Sequence, residues 1–149
     1  LSAVATMYLF FGFTDSNALE APIESAGAAN TLTSNASDAV GIMFDTRMAT
    51  DNYWLVGVKG DVDATAQDAL SAPVANQYVT LRVDVDALGS AQFSINGHKV
   101  GSAMANALTP ATDLTPCLYL SKTSVAASMT GDVDYVAVSM NRAANGGVA

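Results

Sequence analysis

"YVTLRVDVDALGSAQFSINGHKVG", residues 78–101, decides the fold. Val79, Leu81, Val83 and Val85 alternate with Thr80, Arg82, Asp84 and Asp86. This period of two sets one row of side chains against a core and the other in water. Phe93 and Ile95 then lead into Asn96-Gly97, a pair that tolerates the positive φ of both central residues of a type I′ turn, and Lys99 and Val100 lead away. With the "DALGS" turn at 86–90 joining the two halves, residues 77–104 read as a three-stranded meander. The ribbon is therefore first a structural element, three consecutive strands of one antiparallel sheet.

Working outward, Val, Ile, Phe, Tyr and Thr recur in short blocks bounded by Gly, Asn, Asp and Pro, and patterns of helical period are almost absent. The predicted strands are 3–13, 38–46, 52–60, 77–86, 90–96, 98–104, 116–123 and 131–140. In the last of these Val133, Tyr135 and Ala137 oppose Val136, Val138 and Met140, so both faces are apolar and the strand is expected inside a sandwich or beneath a neighbour. Segments 14–37 and 61–76 are rich in Ala, Ser, Asn, Asp and Gly and read as long surface loops, the second with a short helical turn at "TAQDALS". Pro110 and Pro116 bracket a crossover from one sheet to the other. The expectation is an all-β, two-sheet antiparallel sandwich, one domain over 1–142 followed by a small-residue tail at 143–149.

Composition bounds the function. Six basic against fourteen acidic residues give a formal charge of -8, and the cations Arg47, Lys59, Arg82, Lys99, Lys122 and Arg142 are scattered singly. Phosphate backbones are repelled by such a chain, which speaks against nucleic acid as a partner. Half the residues are apolar and 13% charged, so the exterior is built largely of Ala, Ser, Thr, Asn and Gly, a surface that is cheap to desolvate against neighbours. The apolar run "AVATMYLFFGF", residues 3–13, is too short to cross a bilayer and lacks the basic region and cleavage site of a signal peptide; it reads as a buried strand. The chain begins at Leu1 already inside strand-like sequence, which suggests a processed or incomplete N-terminus.

Few residues are equipped for chemistry. Cys117 is the only cysteine and His98 the only histidine, so neither an intrachain disulfide nor a Cys/His zinc cage can form within one chain. His98 follows the Asn-Gly turn, a wet position without an acid partner or a G-x-S-x-G elbow. Cys117, between Pro116 and Leu118, reads as a small core hydrophobe. Asp61, Asp63 and Asp68 are able to offer oxygens to calcium, but the loop lacks the glycine and terminal glutamate of an EF-hand, and a plain Asx-turn is the favoured reading. Tyr53 and Trp54 are candidates for stacking on sugar rings, although alternation is expected to turn one of the two inward. Asn35-Ala36-Ser37 matches a glycosylation sequon, which matters only on a secretory route.

The succession "DAVGIMFDT", "YWLVGVKGDVDAT", "YVTLRVDVDALGSAQFSINGHKVG", "LTPATDLTPCLYL" and "DVDYVAVSMNR", spanning residues 38–142, resembles the concanavalin A-like lectin/glucanase jelly roll. The version it is most similar to is found in capsid decoration and structural proteins of tailed bacteriophages. The resemblance implies a jelly-roll sandwich and a non-enzymatic virion subunit, assembled in the host cytoplasm and seated on the capsid surface. Loops and termini would grip major capsid protein subunits, and copies would pair as trimers or dimers. It equally implies an alternative, a carbohydrate-binding module that attaches to glycans. The glucanase branch of the fold carries E-x-D-x-x-E, whose paired carboxylates work about 5 Å apart. That motif is missing here: Glu20 and Glu24 flank Pro22 in a loop, and Asp84/Asp86 and Asp132/Asp134 read as solvated strand faces. No catalytic residue, cofactor or metal ligand is assigned.

Overall fold

Short runs of β-branched and aromatic residues, broken by Asn, Gly and Asp, leave the strand as the only regular element. A computed structural model describes residues 6–27, 30–123 and 130–139, and no helix occurs among them. In chain order the strands are β1 (Met7–Thr14), β2 (Ile23–Ser25), β3 (Leu32–Ser34), β4 (Asp38–Asp45), β5 (Tyr53–Lys59), β6 (Val62–Asp63), β7 (Gln67–Asp68), β8 (Leu81–Val85), β9 (Ala91–Ile95), β10 (His98–Met104) and β11 (Thr115–Lys122). They form a large sheet of order β11-β1-β4-β5-β6 with β7 also on β5, a small sheet β10-β9-β8, and the hairpin β2-β3, every pair antiparallel. The protein is an all-β sandwich.

The expected meander is the small sheet. Asn96 and Gly97 take φ of 51° and 80°, as its type I′ turn requires. Leu81, Val83 and Val85 point toward the large sheet, while Arg82 and Asp84 are exposed and paired to each other at 2.7 Å. Between the sheets, Met7, Val40, Ile42, Phe44, Tyr53 and Leu55 meet Ala91, Phe93, Ile95, Met104 and Leu108. Each large apolar side chain buried this way contributes about 1.5–3 kcal/mol. The crossover through Pro110 carries the chain from β10 in the small sheet to β11 in the large one, as its prolines suggested.

The outer face of the large sheet is buried as well, because segment 14–37 is more than a loop. Ile23 and Leu32 of the β2-β3 hairpin, with Ala21, Ala36 and Met48, cover Tyr8, Phe10, Met43, Trp54, Val56 and Val58. Polar ties hold the hairpin down. The Tyr8 hydroxyl donates to the Ile23 carbonyl, the Ser25 N–H donates to Asp45 Oδ2 at 3.1 Å, and Asn35 Nδ2 donates to the Ala21 carbonyl at 3.0 Å. Arg47 bridges the fully buried Asp45 at 2.8 Å and Glu24 at 2.7 Å. On this same face Gly12 of β1 stands opposite Gly41 of β4. A Cβ at Gly41 would lie 2.6 Å from the Phe11 carbonyl oxygen and 2.7 Å from the Phe10 ring, and one at Gly12 would collide with the Val40 carbonyl oxygen. The side chain missing at Gly41 leaves the gap into which the Phe10 ring packs, and the one missing at Gly12 lets the β4 backbone approach.

Four expectations are corrected. The hairpin β2-β3 lies inside a predicted loop; its three-residue strands are too short for a period to register. At "TAQDALS" the chain forms β7 against β5 rather than a helical turn, since Gln67 and Asp68 pair with Leu55 and Trp54. The strand expected over 77–86 is paired only from Leu81; Asn76 turns the chain with φ of 60°, and the Thr80 N–H goes to the Asn96 side chain at 2.9 Å. The strand expected over 131–140 is not laddered in its described part: residues 131–139 are exposed and join neither sheet. Residue 140, the tail 143–149 and the start of the first predicted strand at 3–5 lie outside the described residues.

Candidate interaction surface

The register of the sandwich sorts its connections to two ends. One end holds Thr14, Asp38 and Lys59, where Thr109 N–H donates to Asp38 Oδ1 at 2.5 Å and Leu108 N–H to the Gly89 carbonyl at 3.0 Å. The opposite end holds Met7, Asp45 and Tyr53, where Tyr53 N–H donates to the Ser71 carbonyl at 2.7 Å and Ala69 N–H to the Tyr53 carbonyl at 2.9 Å. The chain from Ser71 to Thr80 runs on from there to the Asn96-Gly97 turn.

Large apolar side chains stand bare on these connections. Leu70 is 84% exposed and Tyr78 is 77% exposed, with Val74 between them on the same segment. At the other end Leu19 is fully exposed on the β1-β2 connection and Leu88 crowns the β8-β9 turn. Folding does not hold such groups out in water for stability; apolar side chains grouped on one polar loop mark a place where another surface comes to rest. The signal was present in sequence as "DALSAPVANQY", residues 68–78, but loop composition hid the fact that Leu70, Val74 and Tyr78 find no core of their own.

The residues singled out for chemistry are dispersed. Glu20 is exposed and Glu24 is held by Arg47. Asp84 is bound to Arg82, and Asp86 Oδ1 accepts the N–H groups of Leu88 and Ser90, both at 2.9 Å, which makes it the organiser of its turn. Asp132 and Asp134 lie on the unladdered segment. Asp61 accepts the Ser37 hydroxyl at 2.6 Å, Asp63 pairs across to Val58 as part of β6, and Asp68 accepts from Thr50, Asn52 and the Leu70 N–H. Asp61 and Asp68 thus serve separate protein donors while Asp63 is exposed on β6, and among the described residues no group of three His, Cys, Asp or Glu side chains is gathered as a metal would need. His98 is exposed at the start of β10. Asn35 of the sequon is exposed, although its amide is tied to Ala21.

Tyr53 and Trp54 are both buried, on opposite faces of β5, because both faces of that strand are covered. Trp54 Nε1 donates to the Thr50 carbonyl at 3.3 Å. Neither ring is presented to a sugar. Burial pushes the Tyr53 phenol up to about 12. It raises Tyr8 well above the usual range too, with the nearby carboxylates of Asp45 and Glu24 adding to the effect. Cys117 is half-buried against the outer-face cluster and its thiol is raised by burial, the opposite of an activated nucleophile. A shallow depression of about 730 Å³ between β5, β6 and the end of β10 is lined by Lys59, Asp63, Gln67 and Asn106 and has no aromatic ring in its wall. Among the described residues no helix is long and apolar enough to cross a membrane.

Comparison with family models, with curated proteins and with solved structures gives no match for this chain. Nothing in them identifies it as concanavalin A-like or as a phage decoration protein.

Proposed function

We propose that this chain is a non-enzymatic virion structural protein, a jelly-roll sandwich that decorates or cements a bacteriophage capsid by pressing its loops onto major capsid subunits. The observation that carries the reading is the bare apolar set on the 69–80 connection, Leu70, Val74 and Tyr78, raised on a rigid sandwich whose own cores are filled without them. Sequence resemblance over residues 38–142 and the weakly charged exterior support the same reading. Its physical logic is avidity: each loop contact is small, but many copies repeated over a symmetric shell add up to a cohesive layer. Trimers or dimers formed along sheet edges would strengthen the array.

The test is cryo-electron microscopy of particles that contain the chain. Copies following the capsid lattice, with occupancy falling several-fold for the double substitution Leu70→Ser and Tyr78→Ser, support the proposal. Saturable binding on a glycan array by a chain absent from the lattice would replace it with the carbohydrate-binding reading. In that case the contact must be made by residues other than Tyr53 and Trp54, whose rings are committed to the cores.

A further inference from the structure

The small sheet is too narrow for the sheet it covers. On the inner face of the large sheet, β1 and β11 place Leu9 opposite Leu120 and Phe11 opposite Leu118. β8 packs over β1 and β4, and among the described residues no further strand of the small sheet lies beyond it over β11. Leu118 is left 41% exposed and Leu120 36% exposed, on an apolar shelf continuous with the inner core.

Among the described residues, the margin of β8 beside this shelf is an unpaired strand edge. Asn96 N–H donates to the Thr80 carbonyl at 2.8 Å and Asp86 N–H to the Ser90 carbonyl at 2.9 Å, which fixes the even-numbered residues of β8 as those bonded to β9. In an antiparallel ladder the peptide groups alternate, so those of Leu81, Val83 and Val85 point the other way, toward the vacant side. An apolar cavity of about 290 Å³ lies there. Phe11, Phe13, Leu81, Val83 and Leu118 line it on one side, and Val136, Ala137 and Val138 close it on the other.

From this we infer that residues 131–139, which lie alongside β8 without laddering in this structure, are a docking strap that closes in solution: they add to the β8 edge of their own chain as a fourth strand of the small sheet and roof the Phe11, Leu118 and Leu120 shelf. Three independent observations meet in that placement. The edge offers peptide groups that no described strand pairs, the shelf beneath it is one strand wide, and the segment already alongside carries Val133, Tyr135, Val136 and Val138 exposed on both of its faces. A strand apolar on both faces is what the site needs, since one face would lie on the shelf and the other would remain outside as a further apolar stripe. Capping the edge also removes a template for pairing with other chains. The inference is independent of the capsid reading.

Amide hydrogen exchange of the full chain, read residue by residue by NMR, tests it. The Leu81 and Val83 amides, which have no partner in the small sheet, are expected to exchange as slowly as those of β9. In Ala137→Pro, which removes a donor and fixes φ in the strap alone, they should speed up about tenfold or more while β4 amides stay unchanged. Ala137→Ser should leave the native pattern. Free-peptide exchange at Leu81 and Val83 in the unmodified chain overturns the inference, as does protection that survives Ala137→Pro. Protection that appears only in a dimer by sedimentation overturns it too, because the strand would then come from a second copy.

Discussion

Strands β4 and β5 differ from β8 and β11 in how many of their faces are used. Every residue from Asp38 to Asp45 is buried, as are Tyr53 to Val58, whereas β8, and β11 from Pro116 on, alternate between partly buried and exposed. The first pair lies between two covers, the small sheet inside and the β2-β3 hairpin outside; the second lies at the margins of both sheets. In an antiparallel protein a continuously apolar strand therefore announces a second cover, and the search for that cover belongs in the nearest segment dismissed as loop.

The sharpest way to break this contrast is Trp54→Ala. If the outer face is a true core, the substitution destabilises the chain by about 3–5 kcal/mol in chemical denaturation. A residue held out for a ligand would cost far less, and stability unchanged within error would mean the outer face is bare. Ile23→Ala examines the cover itself: a loss of about 2–5 kcal/mol is expected, because Ile23 is fully buried at the centre of the hairpin's underside. A loss below 1 kcal/mol would mean the hairpin only rests on the sheet.

A pH titration sharpens the inner face. The Tyr53 phenol ionises near 12 in the folded protein against 10.0 in an unfolded chain. Its contribution is therefore complete below pH 10 and is lost as pH rises toward 12, amounting to about 2–3 kcal/mol. Tyr8 acts in the same direction. Stability measured from pH 9 to 12 should fall, and Tyr53→Phe should flatten the decline. An unchanged slope in that variant would place the phenol in water. Smallest of all, Leu70→Ser and Tyr78→Ser should each alter stability by no more than about 0.5 kcal/mol, since neither side chain belongs to a core. A large loss would mean that the loop folds back onto the sandwich and presents no contact surface.

How much of this was legible in sequence follows from where each pattern is local. The meander at 77–104 could be read because its alternation and its Asn-Gly turn are properties of neighbouring residues. The β2-β3 hairpin could not, because each of its strands has only three residues and its reason for existing, the outer face of β4 and β5, is supplied from elsewhere in the chain. The burial of Tyr53 and Trp54 together was hidden for the same reason: alternation sends them to opposite faces, and only the second cover buries both. The bare side chains of Leu70, Val74 and Tyr78 illustrate the reverse, since apolar letters in a loop do not reveal whether a core takes them in.

The facing glycines at 12 and 41 act as an alignment key. The Phe10 ring fits only over the side chain absent at Gly41, and Gly12 fits only against the close β4 backbone, so sliding β1 along β4 by one pleat would drive the ring over Ala39 or Met43 instead. Two hydrogens in place of two methyl groups thus tell the first strand where to stop.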